Sequence, residues 1–179
     1  MADAAKETAA APGLGVTLAS IVNGCFGDYL SDRDNGLAID MAFYQHNRPL
    51  PLTSEALRDA FPAPTNKLCV LVHGLCCHEG AWDYPDNSAR SYGSALQDDL
   101  GYTPFFLRYN TGLPIPYNGT ALDALLEKLL AAYPVPVEEL VLIGHSMGGL
   151  VLRGACHFGA ERSAAWVQGQ PRLLYRHTA

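Results

Sequence analysis

The sequence predicts an α/β domain with a parallel sheet, and three observations lead to this fold class. From Lys67 onward, short apolar runs alternate with longer segments of helical periodicity, which is the pattern of strands joined by crossover helices. The turn Gly144-His145-Ser146-Met147-Gly148 stands between an apolar run and a helix-like segment. The length of 179 residues, 49% of them hydrophobic and 17% charged, suits one core. We expect one domain over residues 16–179, after a flexible Ala-rich tail over residues 1–15.

The composition argues against several kinds of function. The net charge is -6 at pH 7 and no cluster of Lys and Arg is present, so we expect no nucleic-acid partner. No apolar run reaches the length of a membrane span, and the first fifteen residues lack the basic start and apolar core of a signal peptide. We therefore expect a cytoplasmic protein with no integral membrane segment. The 5 cysteines include the adjacent pair Cys76 and Cys77, lack zinc spacing and form a poor disulfide framework, which favours a reducing compartment.

Before Lys67 the pattern predicts two short helices with a strand and a bend between them. Apolar residues at mixed three- and four-residue spacing are typical of an amphipathic helix, and a glycine after the run ends it. Either Thr53 or Ser54 can cap the second helix. The predicted elements are a helix over residues 16–26 closed by Gly27, a strand over residues 37–44, a hairpin bend over residues 45–48 and a helix through Ala60.

Residues 67–73 form a near-continuous apolar run, which predicts an interior parallel strand. The run ends in His73-Gly74-Leu75, so the chain leaves the strand through a residue without a side chain, where the backbone can approach a substrate closely. The backbone of Gly74 and Leu75 is therefore the expected source of one oxyanion donor. His73 itself is expected to be a core histidine or a support for this loop.

The next stretch predicts two more helices with a strand between them. Leucines at positions 122, 125, 126, 129 and 130 mark the apolar face of the second helix, and Asp123 and Glu127 are expected to be surface charges. The predicted elements are a loop over residues 76–86 with solvated His78 and Glu79, a helix over residues 89–99 capped by Asn87 or Ser88, a strand over residues 103–109, a pocket-shaping loop over residues 110–118 and a helix capped by Asn118 or Thr120.

The apolar run at residues 141–143 predicts a buried strand that delivers Ser146 into a tight turn before a helix that ends near residue 158. The two glycines of the turn leave room for helix and strand to pack, so the Ser146 hydroxyl is exposed at the carboxyl edge of the sheet. This predicts Ser146 as a nucleophile. The amide of Met147, at the helix N-terminus, can stabilise a developing oxyanion. His145 is expected to pack or to line the pocket, because a chain neighbour at a strand end points away from the turn.

Three stretches carry a resemblance to a known family: residues 70–75 with Trp82, residues 108–112 with residues 117–119, and residues 142–150. Together they resemble the α/β-hydrolase superfamily in its lipase and esterase branch, and bacterial lipase-like proteins related to GPI inositol-deacylases in particular. The resemblance covers residues 21–158. It implies a three-layer fold and hydrolysis of a small ester or lipid through an acyl-Ser146 intermediate. It also implies Met147, Gly74 and Leu75 as oxyanion donors, with no metal or organic cofactor.

The chain departs from this family after Ser146. The family's order is Ser, then an acid, then His, and the acid and the base come from later strands. After Ser146 the sequence holds one acid, Glu161, and two histidines, His157 and His177. His157 falls on the helix that follows the turn, roughly 16 Å along its axis from Ser146, so it does not reach the nucleophile.

Residues 168–179 fit neither a helix nor the strand expected there. This predicts a chain that is C-terminally truncated or frameshifted, a fold that is incomplete at that end, and a hydrolase that is inactive because the acid and the His of the triad are absent. The alternatives are a non-catalytic binding protein or an unstable hydrolase fragment. Acyl transfer to an alcohol or a thiol in place of water also stays open.

Overall fold

The structure, a computed structural model, describes residues 14–33, 36, 38–168 and 174–178. Residues 1–13 of the predicted tail lie outside the described residues. The strands are β1 Ala42–Gln45, β2 Arg48–Pro49, β3 Lys67–Val72, β4 Asp83–Tyr84, β5 Asn87–Ser91, β6 Thr103–Arg108, β7 Glu139–His145 and β8 Leu174–Thr178. The helices are α1 Leu14–Asp32, α2 Ser54–Ala60, α3 Tyr92–Leu100, α4 Ile115–Ala132, α5 Met147–Glu161 and α6 Ala165–Gln168, with a 3-10 turn over Glu79–Trp82.

In the described part of the chain, six strands form one sheet in the order β2-β1-β6-β3-β7-β8. The strands β6, β3, β7 and β8 run parallel to one another, whereas β1 pairs antiparallel with both β2 and β6. The strands β4 and β5 form a separate antiparallel pair. The predicted fold class, α/β with a mostly parallel sheet, is confirmed. Because parallel strands end at one edge, the residues that follow β3, β6 and β7 meet there.

Helices cover both faces of the sheet. On one face α4 and α5 pack over the larger core cluster, to which β3 contributes Leu68, Val70 and Val72. The alternate residues of β3, Cys69 and Leu71, point to a smaller cluster on the other face, partly covered by α3. Each large apolar side chain that is fully buried contributes about 1.5–3 kcal/mol, so the α4–α5 face carries most of the hydrophobic stabilisation.

Several local predictions agree with the structure. The hairpin bend lies between β1 and β2, where His46 and Asn47 take the positive φ angles of 49° and 61° that two-residue hairpin turns require. Thr53 caps α2 by accepting a hydrogen bond from the Ala56 amide at 3.2 Å. The strands β3 and β6 each end one residue before the predicted limit.

The first helix begins earlier than predicted, at Leu14, within the predicted tail. Its first segment breaks at a kink, where Phe26 is non-helical (φ -135°, ψ 19°), and this agrees with the predicted end at Gly27. The sequence did not predict the second helical segment, which follows the kink and ends at Asp32. The missing side chain of Gly27 has a packing reason, because a Cβ at Gly27 would lie 1.9 Å from Asn110 Oδ1.

Two predicted caps are wrong. The third helix begins only at Tyr92, because residues 87–91 pair with β4 as a strand and Ser91 and Ser94 cap the helix reciprocally. The fourth helix begins at Ile115, with Pro114 at the cap position and Pro116 in the first turn, so neither predicted residue caps it. Proline suits the first turn of a helix, since no intrahelical partner exists there for its missing N–H.

Asp123 is buried, so the prediction of a surface charge is wrong. It lies on the side of α4 that faces α5 and α6 and accepts hydrogen bonds from Arg162 Nε at 2.5 Å and Trp166 Nε1 at 2.6 Å. Glu127, one turn later, accepts from the same Arg162 at 3.2 Å and keeps a side-chain exposure of 37%.

The prediction that the C-terminal segment contains no strand is wrong for residues 174–178. They form β8, which runs parallel to β7 with Leu174 opposite Val141 and Thr178 opposite His145. The edge of β7 presents unpaired peptide groups, and a short segment of β-forming residues can pair with them. None of the described helices combines the length and hydropathy that crossing a bilayer requires.

Candidate active site

Ser146 is the single residue that connects the end of β7 to the start of α5. Its backbone has φ 52° and ψ -123°, a strained conformation for a residue with a side chain, and the residue is exposed. The strand is held in the middle of the sheet and the helix in the larger core, so the serine cannot relax by moving either one alone. The predicted sharp turn is therefore present with Ser146 at its tip.

The two glycines of the turn are required by close backbone contacts. A Cβ at Gly148 would lie 2.2 Å from the carbonyl oxygen of Val72 and 2.6 Å from that of His73, so α5 begins in contact with the end of β3. A Cβ at Gly144 would lie 2.6 Å from the amide nitrogen of Gly149. These contacts involve backbone atoms, which cannot rotate away.

The backbone after β3 lies directly beside Ser146. A Cβ at Gly74 would be 3.2 Å from Ser146 Cβ and 3.1 Å from His145 Nδ1. Met147 occupies the first helical position of α5, where an amide has no intrahelical partner and the helix dipole is positive. The structure thus brings Ser146, Met147 and Gly74 together, while the oxyanion role of Met147, Gly74 and Leu75 stays a prediction.

The buried side chain of His73 stabilises the backbone of the loop of residues 73–77. It is fully buried, stacks on Tyr109 with ring centroids 4.6 Å apart, and donates from Nδ1 to the Gly74 carbonyl oxygen at 3.0 Å. The Tyr109 hydroxyl donates to the His73 carbonyl oxygen at 2.8 Å. Burial lowers the pKa of His73 to about 4, so the imidazole is neutral at pH 7. His73 is therefore a core histidine that also supports the loop, as its two expected roles allowed.

The sequence predicted a pocket-shaping loop over residues 110–118, but not the contacts that Tyr109 and this loop make. Burial raises the pKa of Tyr109, which stays protonated and donates to the loop. Thr111 Oγ1 accepts from the Cys76 amide at 3.1 Å. Asn110 donates from Nδ2 to the Gly27 carbonyl oxygen at 2.9 Å, and Asn118 donates to the Asn110 carbonyl oxygen at 2.9 Å. The loop itself was indicated by its glycine and prolines and by the resemblance over residues 108–112 and 117–119, whereas the hydrogen bonds to Cys76 and Gly27 join residues that are remote in sequence.

Glu79 is half-buried in an ion pair with Arg108, with a side-chain exposure of 12%, so the prediction that it is solvated is wrong. Arg108 donates from Nε to Glu79 Oε2 at 2.7 Å, donates to Asn47 Oδ1 at 2.5 Å and lies over the ring of Tyr44. The long side chain of Arg108, at the end of β6, reaches both Glu79 and Asn47, and the planar N–H groups of its guanidinium can form paired hydrogen bonds with a carboxylate. A cavity of about 480 Å³ opens beside this pair, and its described lining does not include Ser146.

The side-chain contacts described for His73, His78 and His157 do not include Ser146. His78, half-buried, accepts from the Gly80 amide at 3.0 Å and lies 3.2 Å from Thr17 Oγ1. His157 lies on α5 and pairs with Glu161 at 3.5 Å, with both side chains more than 60% exposed. His177 lies in β8 with its backbone opposite Gly144. The described residues thus bring the candidate nucleophile Ser146 next to Met147 and Gly74, without an assigned base.

Among the residues that the structure describes, no three His, Cys, Asp or Glu side chains cluster as potential metal ligands.

Comparison with known proteins shows that residues 69–175 match a family model described as "Alpha/beta hydrolase family". Curated proteins gave no match, and neither did solved structures.

Proposed function

We propose that this chain, which belongs to the alpha/beta hydrolase family, is a serine hydrolase of the lipase and esterase type. The observation that carries this proposal is Ser146, an exposed serine at φ 52° with the Gly74 backbone beside it. A hydroxyl at the tip of a strand-to-helix turn is open to a substrate, and amides around it can face the oxygen on which charge develops. The resemblance to bacterial lipase-like proteins favours a carboxylic ester of a small molecule or a lipid as substrate.

In the proposed reaction, Ser146 Oγ attacks the carbonyl carbon of the ester. The Oγ–C bond forms, the bond to the leaving oxygen breaks, and the Oγ proton is transferred so that an alcohol departs. Charge develops on the carbonyl oxygen, near the amides of Met147 and of the Gly74–Leu75 backbone. Losing one such donor typically lowers the rate about 100- to 1000-fold, which sets the scale of their expected contribution.

We further propose that this chain alone turns over esters slowly. His73 is neutral and fully buried, and His157 is paired with Glu161 on the exposed side of α5. A serine without a base keeps only the residual catalysis of its oxyanion donors and of substrate binding. The expected behaviour is a weak acylation of Ser146 by an activated ester, followed by slow release.

The test uses p-nitrophenyl butyrate with the chain, with Ser146→Ala and with Ser163→Ala. Ser163 is a matched control, because it is also an exposed serine at positive φ (57°), beyond the opposite end of α5. We expect slow p-nitrophenol release and a butyryl adduct on the peptide that contains Ser146. Both should vanish in Ser146→Ala and persist in Ser163→Ala. Equal release by the chain and Ser146→Ala contradicts the nucleophile, whereas fast multiple turnover that needs Ser146 contradicts only the slow-turnover proposal.

The alternative is a binding protein without turnover, and the lack of an assigned base favours it. It predicts no adduct on Ser146 and saturable binding of an ether analogue, which has no carbonyl carbon to attack. The third possibility, an unstable fragment, predicts a broad thermal transition in place of a cooperative one.

A further inference from the structure

Three thiols gather where α1 meets the loop of residues 73–77. Cys76 and Cys77 belong to the loop, and Cys25 comes from α1, about fifty residues earlier in the chain. The thiol of Cys76 lies against α1 at Gly24, the residue that precedes Cys25 in the chain. The sequence gives no sign of this pair, since its only close cysteine spacing is the adjacent Cys76 and Cys77.

The helix and the loop are in direct contact at this point. A Cβ at Gly24 would lie 2.3 Å from Cys76 Sγ and 3.2 Å from Cys76 Cα, so no side chain could stand between α1 and Cys76. Cys76 is fixed from the other side, with a positive φ of 58° and its amide bound to Thr111 Oγ1. Cys25 is exposed and Cys76 is half-buried. One member of the pair is therefore open to a reagent while the other is held in place next to it.

We propose that Cys25 and Cys76 form an oxidation site, at which a peroxide converts the two thiols to a disulfide that joins α1 to the loop. This site stands on the cysteine geometry and is independent of the proposed ester hydrolysis.

The chemistry balances with hydrogen peroxide as the oxidant. The Cys25 thiolate attacks one peroxide oxygen, the O–O bond breaks, and the other oxygen leaves as hydroxide and becomes water, so Cys25 is now a sulfenic acid. The Cys76 sulfur then attacks the Cys25 sulfur, the S–O bond breaks, and the oxygen leaves as a second water with the Cys76 proton. Two thiols are oxidised by two electrons in total, and one peroxide is reduced to two waters. The new bond between the two sulfurs has a length of about 2.05 Å.

The order of the two steps follows from exposure. Burial raises the pKa of Cys76, and the nearby thiol of Cys25 acts in the same direction, so Cys76 stays protonated and reacts second. Of the other cysteines, Cys69 is fully buried with its pKa raised to about 12 by burial, which makes it unreactive. Cys156, on α5, packs against the larger core cluster and serves as the control position.

The experiment treats the whole chain with equimolar hydrogen peroxide and counts the remaining thiols by maleimide labelling and mass spectrometry. We expect the loss of 2 of the 5 thiols, a crosslinked peptide pair, and recovery of all 5 after reduction. The crosslink should be absent in Cys25→Ser and Cys76→Ser and present in Cys77→Ser and Cys156→Ser. Because the loop closed by the disulfide is long, we also expect Tm to rise by roughly 5–10 °C on oxidation in the chain but not in Cys25→Ser.

Three results would overturn the proposal. A crosslink that survives Cys76→Ser and disappears in Cys77→Ser assigns the reaction to Cys77. Covalent dimers on a non-reducing gel, lost in Cys25→Ser, show that Cys25 pairs between chains. Retention of all 5 thiols after peroxide shows that the pair does not react. Far-UV circular dichroism of each variant confirms that folded proteins are being compared. Cys25→Ser changes an exposed residue, so it tests the proposal even if Cys76→Ser disturbs the fold.

Discussion

Replacing Gly148 by Ala should destabilise the chain by separating α5 from β3. The added Cβ would lie 2.2 Å and 2.6 Å from two carbonyl oxygens and 2.8 Å from the carbonyl carbon of Val72. These are backbone atoms inside a parallel sheet, so relief requires α5 to move by on the order of 1 Å at its first turn. Overpacking of this kind costs about 1–3 kcal/mol, and a contact with fixed atoms lies at the upper end.

Replacing glycine by alanine within a helix normally stabilises it, so a control variant in the same helix is needed to separate this gain from the steric clash. Gly154 lies in the middle of the same helix, where a Cβ would be 3.4 Å from Gly119 Cα, an ordinary contact. Gly154→Ala should therefore stabilise the chain by up to about 1 kcal/mol, from helix propensity. After the same gain, Gly148→Ala should still lose about 2 kcal/mol, a fall in Tm of roughly 4–8 °C.

Urea unfolding followed by circular dichroism measures both variants against the parent chain. The expected order of midpoints is Gly154→Ala above the parent and Gly148→Ala below it. If Gly148→Ala has the parent's midpoint, α5 does not begin against the end of β3, and the arrangement of Ser146 beside Gly74 loses its support. If both variants fall together, the effect is a general one of adding side chains to α5.

Three further predictions concern the groups around the site. The pKa of His73 falls to about 4 on folding, so neutral His73 contributes fully to the free energy of unfolding above pH 6.5, and this contribution is lost as the pH falls toward 4. Urea unfolding should therefore show a free energy of unfolding that declines by up to roughly 3 kcal/mol over this range, and the decline should be absent in His73→Gln. Asp123→Asn should cost about 2–4 kcal/mol and Glu127→Gln less than about 0.5 kcal/mol, and equal losses would contradict the burial of Asp123. Tyr109→Phe should cost about 1–2 kcal/mol and slow the acylation of Ser146, and an unchanged midpoint would contradict the hydrogen bond to His73.

Local patterns predicted much of the fold. The apolar runs of β3 and β7 and the Gly-x-Ser-x-Gly turn could be recognised because strand burial and tight-turn geometry depend on neighbouring residues. The Thr53 cap is local in the same sense, since its partner Ala56 is three residues away. These contacts involve short sequence separations, and period and propensity report on them directly.

The errors fall where a residue's partner is remote in sequence. Asp123 resembled a surface charge because it stands beside Glu127, yet its partner Trp166 is 43 positions away. Gly27 was predicted only as a helix end, and its close contact with Asn110, 83 positions later, was not predicted. A single sequence contains no signal for such pairs, because burial of a polar group is decided by whatever tertiary partner satisfies it.

The strained serine is the strongest argument that this turn serves chemistry. A non-glycine residue in a sparsely populated region costs about 1–3 kcal/mol, and glycine at position 146 would remove most of that cost. The surroundings keep the strain in place, since Gly148 fixes the first turn of α5 against β3 and His73 fixes the loop on the other side. Gly74 in turn keeps the space beside the serine free of a side chain. A turn that served only to connect β7 to α5 would need neither the serine nor that space, whereas a nucleophile that must meet a carbonyl carbon needs both.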